Sequence, residues 1–301
     1  MANAGERTAD RPARIGRLAW LALALVAASI TPGCATSSAP PGPSTAPSTP
    51  TPTAAAADPI GLVGLWRVSG AAGESDETWL RLGGGELALW RECGTLGGSW
   101  IAGERAFLAQ IWSASRDCGV AFADVGWLDA AASYRATADG WQLLDAGGEP
   151  VASLAIDGAP EPINGVEASF AEAPVTDDLA RALFADAPPL PESLAPASTD
   201  DLIGRWDPVG LSVMTDPHVV FLAFGDWNGS DGCNGQRGRW AFEDDGGLLT
   251  TTGGSSDMWC EGAPVSSWVT GARLAGLDGQ ELVLLDRDGV ELGRLQRPDG
   301  L

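Results

Sequence analysis

The sequence predicts a mainly β fold: two tandem small antiparallel β-barrels, each with a short helix. Three observations carry this expectation. The chain repeats itself at a spacing of about 140 residues, each copy breaks into short apolar runs set off by Gly-rich turns, and stretches with helical spacing are few and short.

The repeat is the strongest internal signal. Gly61-Leu62-Val63-Gly64-Leu65-Trp66 matches Asp201-Leu202-Ile203-Gly204-Arg205-Trp206 at an offset of 140, which Cys93/Cys233 and Trp100/Trp240 share. Cys118 and Cys260 are offset by 142, and Leu143-Leu144-Asp145-Ala146-Gly147-Gly148 matches Leu284-Leu285-Asp286-Arg287-Asp288-Gly289 at 141. Five landmarks in near-constant register give two copies, 58–157 and 200–301, joined by a linker over 158–199.

Ahead of the first copy lies a targeting segment, 1–34. Four Arg precede an apolar run of 13 residues, Leu18 to Ile30, too short for the roughly 20 that span a bilayer. Thr31-Pro32-Gly33-Cys34 then resembles the lipobox of bacterial lipoproteins, in which the Cys becomes the acylated first residue. That resemblance implies lipidation of Cys34 and an extracytoplasmic, membrane-anchored location. Residues 35–57 contain only Ala, Thr, Ser, Pro and Gly. Such a segment has no side chains to bury and reads as a tether, reaching roughly 25 Å as a coil or about 70 Å as polyproline II.

In the first copy, Glu86 to Trp90 and Ala106 to Ile111 read as strands flanking a Gly-rich Cys93 segment. A short helix is expected in the linker from Thr176 to Ala185, with Thr176 as its N-cap. In the second copy, Val219 to Phe224 has strand length and composition. Asn234-Gly235 suits a type I′ turn, because both residue types tolerate positive φ. Ala263 to Leu274 reads as a helix, and Glu281 to Leu285 pairs with Val290 to Leu295 as a hairpin around Asp286-Arg287-Asp288-Gly289.

The second copy resembles the META/HslJ-like domain of bacterial envelope proteins. The resemblance rests on Leu202-Ile203-Gly204-Arg205-Trp206, Gly232-Cys233-Asn234, Gly238-Arg239-Trp240, Asp257-Met258-Trp259-Cys260 and Leu282-Val283-Leu284-Leu285 with Gly289. The first copy matches more weakly: Glu92-Cys93-Gly94 stands in place of Gly-Cys-Asn, and no Met precedes Cys118. The resemblance implies a small lipocalin-like barrel per copy. It also implies an envelope role of the kind linked to heat shock, antibiotic tolerance and secretion, with no known chemistry.

With Cys34 set aside, four cysteines remain in a chain expected to be exported and oxidised. The repeat register pairs Cys93 with Cys118 and Cys233 with Cys260. The competing reading, a zinc site, lacks ligands: each copy has two Cys, and His218 is the only His in the chain. Trp66/Trp206 and Trp100/Trp240 recur in both copies and are expected in the core. Some of the remaining Trp could form an exposed platform for a sugar or apolar ligand.

Charge narrows the partners. The chain has 18 Arg, no Lys and a net charge of -22; beyond residue 34 there are 38 acids against 14 Arg, a net of -24. Such a surface repels nucleic acid, whose binding is driven largely by basic groups displacing counterions. His218 after Asp216-Pro217 reads as a loop histidine without a triad. No Gly-rich run continues into a phosphate-binding Lys-Ser/Thr, and Asp286-Arg287-Asp288-Gly289 lacks the closing Glu of a calcium loop. No cofactor and no metal are expected. The leading reading is a non-catalytic module binding an envelope protein or a small ligand. The alternatives are a structural or stress-protective module without a pocket, and a hydrolase with an unrecognised acidic site. Comparing the copies assigns Cys233 and Trp240 to the scaffold and makes Asn234 a turn former. Asp231, Gln236, Arg237 and Arg239 are left as the candidate binding surface.

Overall fold

A strand order of β5-β4-β3-β2-β1-β8-β7-β6, antiparallel throughout, builds the first sheet. Its strands are β1 (Gly64–Ser69), β2 (Trp79–Leu82), β3 (Glu86–Arg91), β4 (Gly94–Ala102), β5 (Phe107–Ala114), β6 (Ser133–Ala136), β7 (Gly140–Leu144) and β8 (Pro150–Ala155), with helix α1 (Gly126–Ala130) between β5 and β6. The computed structural model describes residues 58–115, 118, 125–211, 215–243, 245–256, 258 and 262–298. The expected targeting segment and tether, with Cys34, lie outside these residues.

After α2 (Asp178–Leu183), β9 (Ala195–Pro196) and α3 (Thr199–Leu202) comes the second sheet. Its strands are β10 (Gly204–Pro208), β11 (His218–Phe221), β12 (Asp226–Ser230), β13 (Gly235–Phe242), β14 (Leu248–Thr250), β15 (Leu274–Asp278), β16 (Glu281–Leu285) and β17 (Glu291–Gln296), with helix α4 (Val265–Gly271) between β14 and β15. Its order, β14-β13-β12-β11-β10-β17-β16-β15-β9, follows the first sheet strand for strand and adds β9 at the edge. The duplication is thus visible in the winding of the chain.

It is visible in single hydrogen bonds as well. The Trp66 indole donates to Leu62 O and the Trp206 indole to Leu202 O, both at 2.8 Å. The Trp100 and Trp240 indoles donate to Gly83 O and Leu222 O at 2.9 and 3.1 Å. All four rings are buried, so each N–H needs such a partner. Gly98 and Gly238 are a further matched pair: a Cβ would lie 2.2 Å from Gln110 O at the first and 1.9 Å from Thr251 O at the second. Only Gly fits where the neighbouring backbone comes this close. The turns at Asp145 and Asp286 also match, each carboxylate accepting two backbone N–H groups of its own turn.

Each sheet curls until the residue ahead of β5 meets β6, Ala106 with Ser133, and the residue ahead of β14 meets β15, Gly247 with Leu274, each at one isolated bridge. Beyond those bridges the ladders stay open, so neither sheet is a closed barrel. Their interiors are filled. The first holds Trp66, Trp100, Phe107 and the leucines of β2 and β3; the second holds Trp206, Phe221, Trp227 and Trp240.

Several local expectations shift. The Gly-rich stretch after Cys93 is strand β4, because alternate residues Leu96, Gly98 and Trp100 turn inward. The run from Val219 stops at Phe221, and Phe224 is 71% exposed in the turn that follows. α2 starts one residue later than expected: the Asp177 carboxylate accepts from Ala180 N at 2.8 Å and replaces Thr176 as N-cap. α4 is shorter than the predicted 263–274, since Leu274 already opens β15. His218 is on strand β11, paired with Ser230, rather than in a loop.

The segment between the sheets packs against both. Ile163, Val166 and Ala171 cover the outward-facing cluster Leu65, Trp79 and Trp90 of the first sheet. Phe184 lies against Trp100 with ring centroids 4.8 Å apart. Ala187 and Leu190 join Leu194, Leu274, Val283 and Leu285 on the second sheet, where β9 pairs with β15. All of these residues belong to one compact unit, Thr53–Leu301.

Candidate functional site

The Gly-Cys-Asn stretch forms the loop between β12 and β13. Ser230 pairs with Gly235, leaving Asp231 to Asn234 as a four-residue connection in which Gly232 takes φ +106°. Gly235 belongs to β13 and has no positive φ, so the expected type I′ turn at Asn234-Gly235 does not form. The loop is closed by side chains. One Asp231 carboxylate oxygen accepts from Cys233 N and Asn234 N at 2.8 and 2.6 Å, and the other accepts from Asn234 Nδ2 at 2.9 Å. Burial pushes the Asp231 carboxyl up, but these hydrogen bonds outweigh it and hold the group below the usual carboxylate range. Cys233 is disulfide-bonded. Its expected partner Cys260 lies outside the described residues. The first-copy bridge, Cys93–Cys118, is formed with its Cα atoms 5.0 Å apart.

Asn234 does more than form a turn. Its Nδ2 donates to Met258 O at 2.7 Å, and its Oδ1 accepts from Met258 N at 2.7 Å and Ser256 Oγ at 2.9 Å. Both ends of the amide are thus spent on the protein itself. Met258 is exposed, and its backbone is the part that is used.

The four candidate surface residues do not converge. Along β13, strand alternation puts Gln236 on the face of Gly238 and Trp240, and Arg237 and Arg239 on the face of Ala241. Ala241 packs on the core of the first sheet, so Arg239 runs toward the seam between the copies. There its Nη1 is buried with no hydrogen-bond partner among the described residues. Its charge pulls down the carboxyl of Asp129 on α1, although burial dominates and leaves that carboxyl raised.

The seam itself is a built contact. Ser99 Oγ donates to Thr252 O at 2.6 Å and accepts from Thr252 N at 3.0 Å. The Glu243 carboxylate accepts from Arg105 N at 3.3 Å, and Leu249 of β14 is part of the first sheet's core.

At this seam a cavity of about 540 Å³ opens between the first sheet, the segment after α2 and the second sheet. Its walls include Ile101, Leu183, Phe184 and Leu249, with Glu243 and Arg273 as half-buried charges. Burial pushes the Glu243 carboxyl up, the backbone N–H groups of Arg105 and Ala106 draw it down, and Asp245 and Glu104 add to the rise. Burial also lowers the Arg273 guanidinium, reinforced by the charge of Arg287. Nη1 of Arg273 donates to Ala272 O at 2.7 Å and Thr270 O at 3.3 Å. Among the described residues no carboxylate lies within ion-pair distance of it, Glu243 included.

No family model, curated protein or solved structure matches the chain.

Glu243 and Arg273 were not among the sequence candidates. A charged residue inside the apolar stretch Ala272 to Ala275 was the available signal, an Arg where strand patterning calls for an apolar or solvent-facing residue. Among the described residues there is no group of three or more His, Cys, Asp or Glu placed to hold a metal ion, and no helix long and apolar enough to cross a membrane.

Proposed function

We propose that this chain is a lipid-anchored extracytoplasmic protein whose tandem META/HslJ-like domains act together as a non-catalytic binding module. The observation that carries this reading is the seam: two copies of one sheet are fastened to each other and to the segment between them around a shared cavity. The interiors of the sheets are filled by Trp and Leu, so a ligand has more room between the copies than inside either one. The near-meeting of β5 with β6 and of β14 with β15 supports describing the copies as lipocalin-like barrels with a gap in the ladder.

The anchor is Cys34, with residues 35–57 as the tether that holds the folded part off the membrane. Anchoring is tested by fractionating cells that express the full chain or Cys34→Ala: loss of the variant from the membrane supports the anchor, and retention overturns it. Binding is tested by capture from native envelope with the full chain and with Leu183→Trp, which fills the cavity. A companion recovered by the first and lost by the folded variant supports the reading. Equal recovery moves binding away from the seam.

A purely structural role has one observation in its favour for the first copy. Phe184 seals the interior against Trp100, and a sheet closed by aromatic packing has no mouth for a ligand.

A further inference from the structure

We infer that the seam cavity takes a zwitterionic ligand of the amino-acid or short-peptide class, its carboxylate on Arg273 and its ammonium on Glu243. This rests on the binding-module reading and deepens it. Two opposite charges line one half-buried cavity without forming an ion pair with each other. Removing charge from water is costly unless a partner of opposite sign is supplied, so each group is a site for the complementary end of a ligand. Among the described residues only Nη1 of the Arg273 guanidinium is engaged, which leaves Nε and Nη2 to grip a carboxylate in the bidentate manner. The Glu243 carboxylate keeps acceptor sites beyond those taken by the Arg105 and Ala106 amides.

The rim selects against a simple anion. Asp58, Glu104, Asp186 and Asp245 are exposed around the entrance, and among the described lining residues Arg181 is the one exposed cation. That field attracts the ammonium end and repels a ligand carrying negative charge alone. Between the two charges the wall is apolar, formed by Ile101, Leu183 and Leu249, and suits an aliphatic side chain. A volume of about 540 Å³ lies within the usual range for small-molecule sites.

The test is titration calorimetry of the full chain with leucyl-leucine, its N-acetylated form, its C-terminal amide, hexanoate and hexylamine. The expected result is binding of the free dipeptide and a loss of at least tenfold on capping either end. In Arg273→Gln the amide and the free acid should bind alike, and in Glu243→Gln the acetylated and free amine should bind alike. The capped ligands decide the matter even if a variant does not fold. Equal binding of capped and free dipeptide overturns the inference, as does hexanoate or hexylamine binding as tightly as the dipeptide. Those two outcomes leave the binding module standing. No binding of any probe at millimolar concentration, alongside successful capture from the envelope, overturns only the ligand class.

Discussion

The side-chain amide of Asn234 grips both polar atoms of the Met258 backbone, accepting from its N–H and donating to its carbonyl, each at 2.7 Å. It thereby ties together two segments separated by 24 positions in sequence. The loop that looks most like a site is a fastening.

Asn234→Ala should therefore cost about 1–2 kcal/mol, since an exposed Met258 backbone can recover some hydrogen bonding from water. Asn234→Asp should cost more at neutral pH. It loses both donated bonds and sets a second carboxylate beside that of Asp231. Urea unfolding at pH 7 and pH 4 checks this: the extra cost of Asp over Ala should shrink in acid, and an equal cost at both pH values would remove the carboxylate argument.

Breaking the Cys93–Cys118 bridge by replacing both residues with Ala should cost roughly 3 kcal/mol, from loop-closure entropy at a separation of 25. The comparison is made on oxidised protein. Under reductant, parent and variant should unfold at nearly the same midpoint.

Glu243 makes the seam pH-dependent. Its folded carboxyl holds its proton more tightly than the unfolded chain does, so its stabilising contribution is complete below the ordinary value of 4.5 and is lost as pH rises through the folded value. Asp129 is raised by burial as well and acts in the same direction. Glu243→Gln keeps an oxygen for the Arg105 amide and removes the titration. Its Tm should match the parent near pH 4 and exceed it at pH 8. A variant that is less stable than the parent at pH 8 would reverse the sign and overturn the assignment.

Phe184→Ala should cost about 3 kcal/mol, because the ring is 8% exposed and packs on Trp100. Hydrogen exchange should rise across Asp178 to Leu183, and Trp fluorescence should shift to the red as water reaches Trp100. Unchanged exchange in α2 would show that the helix is held without its Phe.

What could be read from the sequence is what repeats or is local. Trp66, Trp206, Trp100 and Trp240 recur at a fixed offset and fill equivalent places, and the hairpin over Glu281 to Leu285 follows from composition and a turn. The opposite faces of Gln236 and Arg237 stayed hidden behind the expected turn at Asn234-Gly235, because alternation separates them only once Gly235 is seen to open β13. Nothing local announces that Asn234 reaches Met258, or that Glu243 caps a hairpin of the other copy, since both partners arrive through tertiary folding. Leu190 and Leu194 lie in a Pro-rich stretch without strand or helix periodicity, and although Phe184 falls at the end of the expected helix, nothing in that helix names Trp100 as its partner, so the packing of all three has no signature in pattern alone.

That stretch settles how the molecule can be taken apart. Ile163, Val166 and Ala171 shield one sheet, while Ala187, Leu190 and Leu194 shield the other, and Phe184 plugs the first from between them. Severing the chain anywhere along this strap strips apolar cover from at least one half. A lone first copy ended at residue 157 would present Trp79 and Trp90 to solvent, and a lone second copy begun at residue 200 would lack both β9 and its leucine cover. Although the two halves share one plan, neither is a self-sufficient unit, and single-copy fragments should be sticky and poorly soluble.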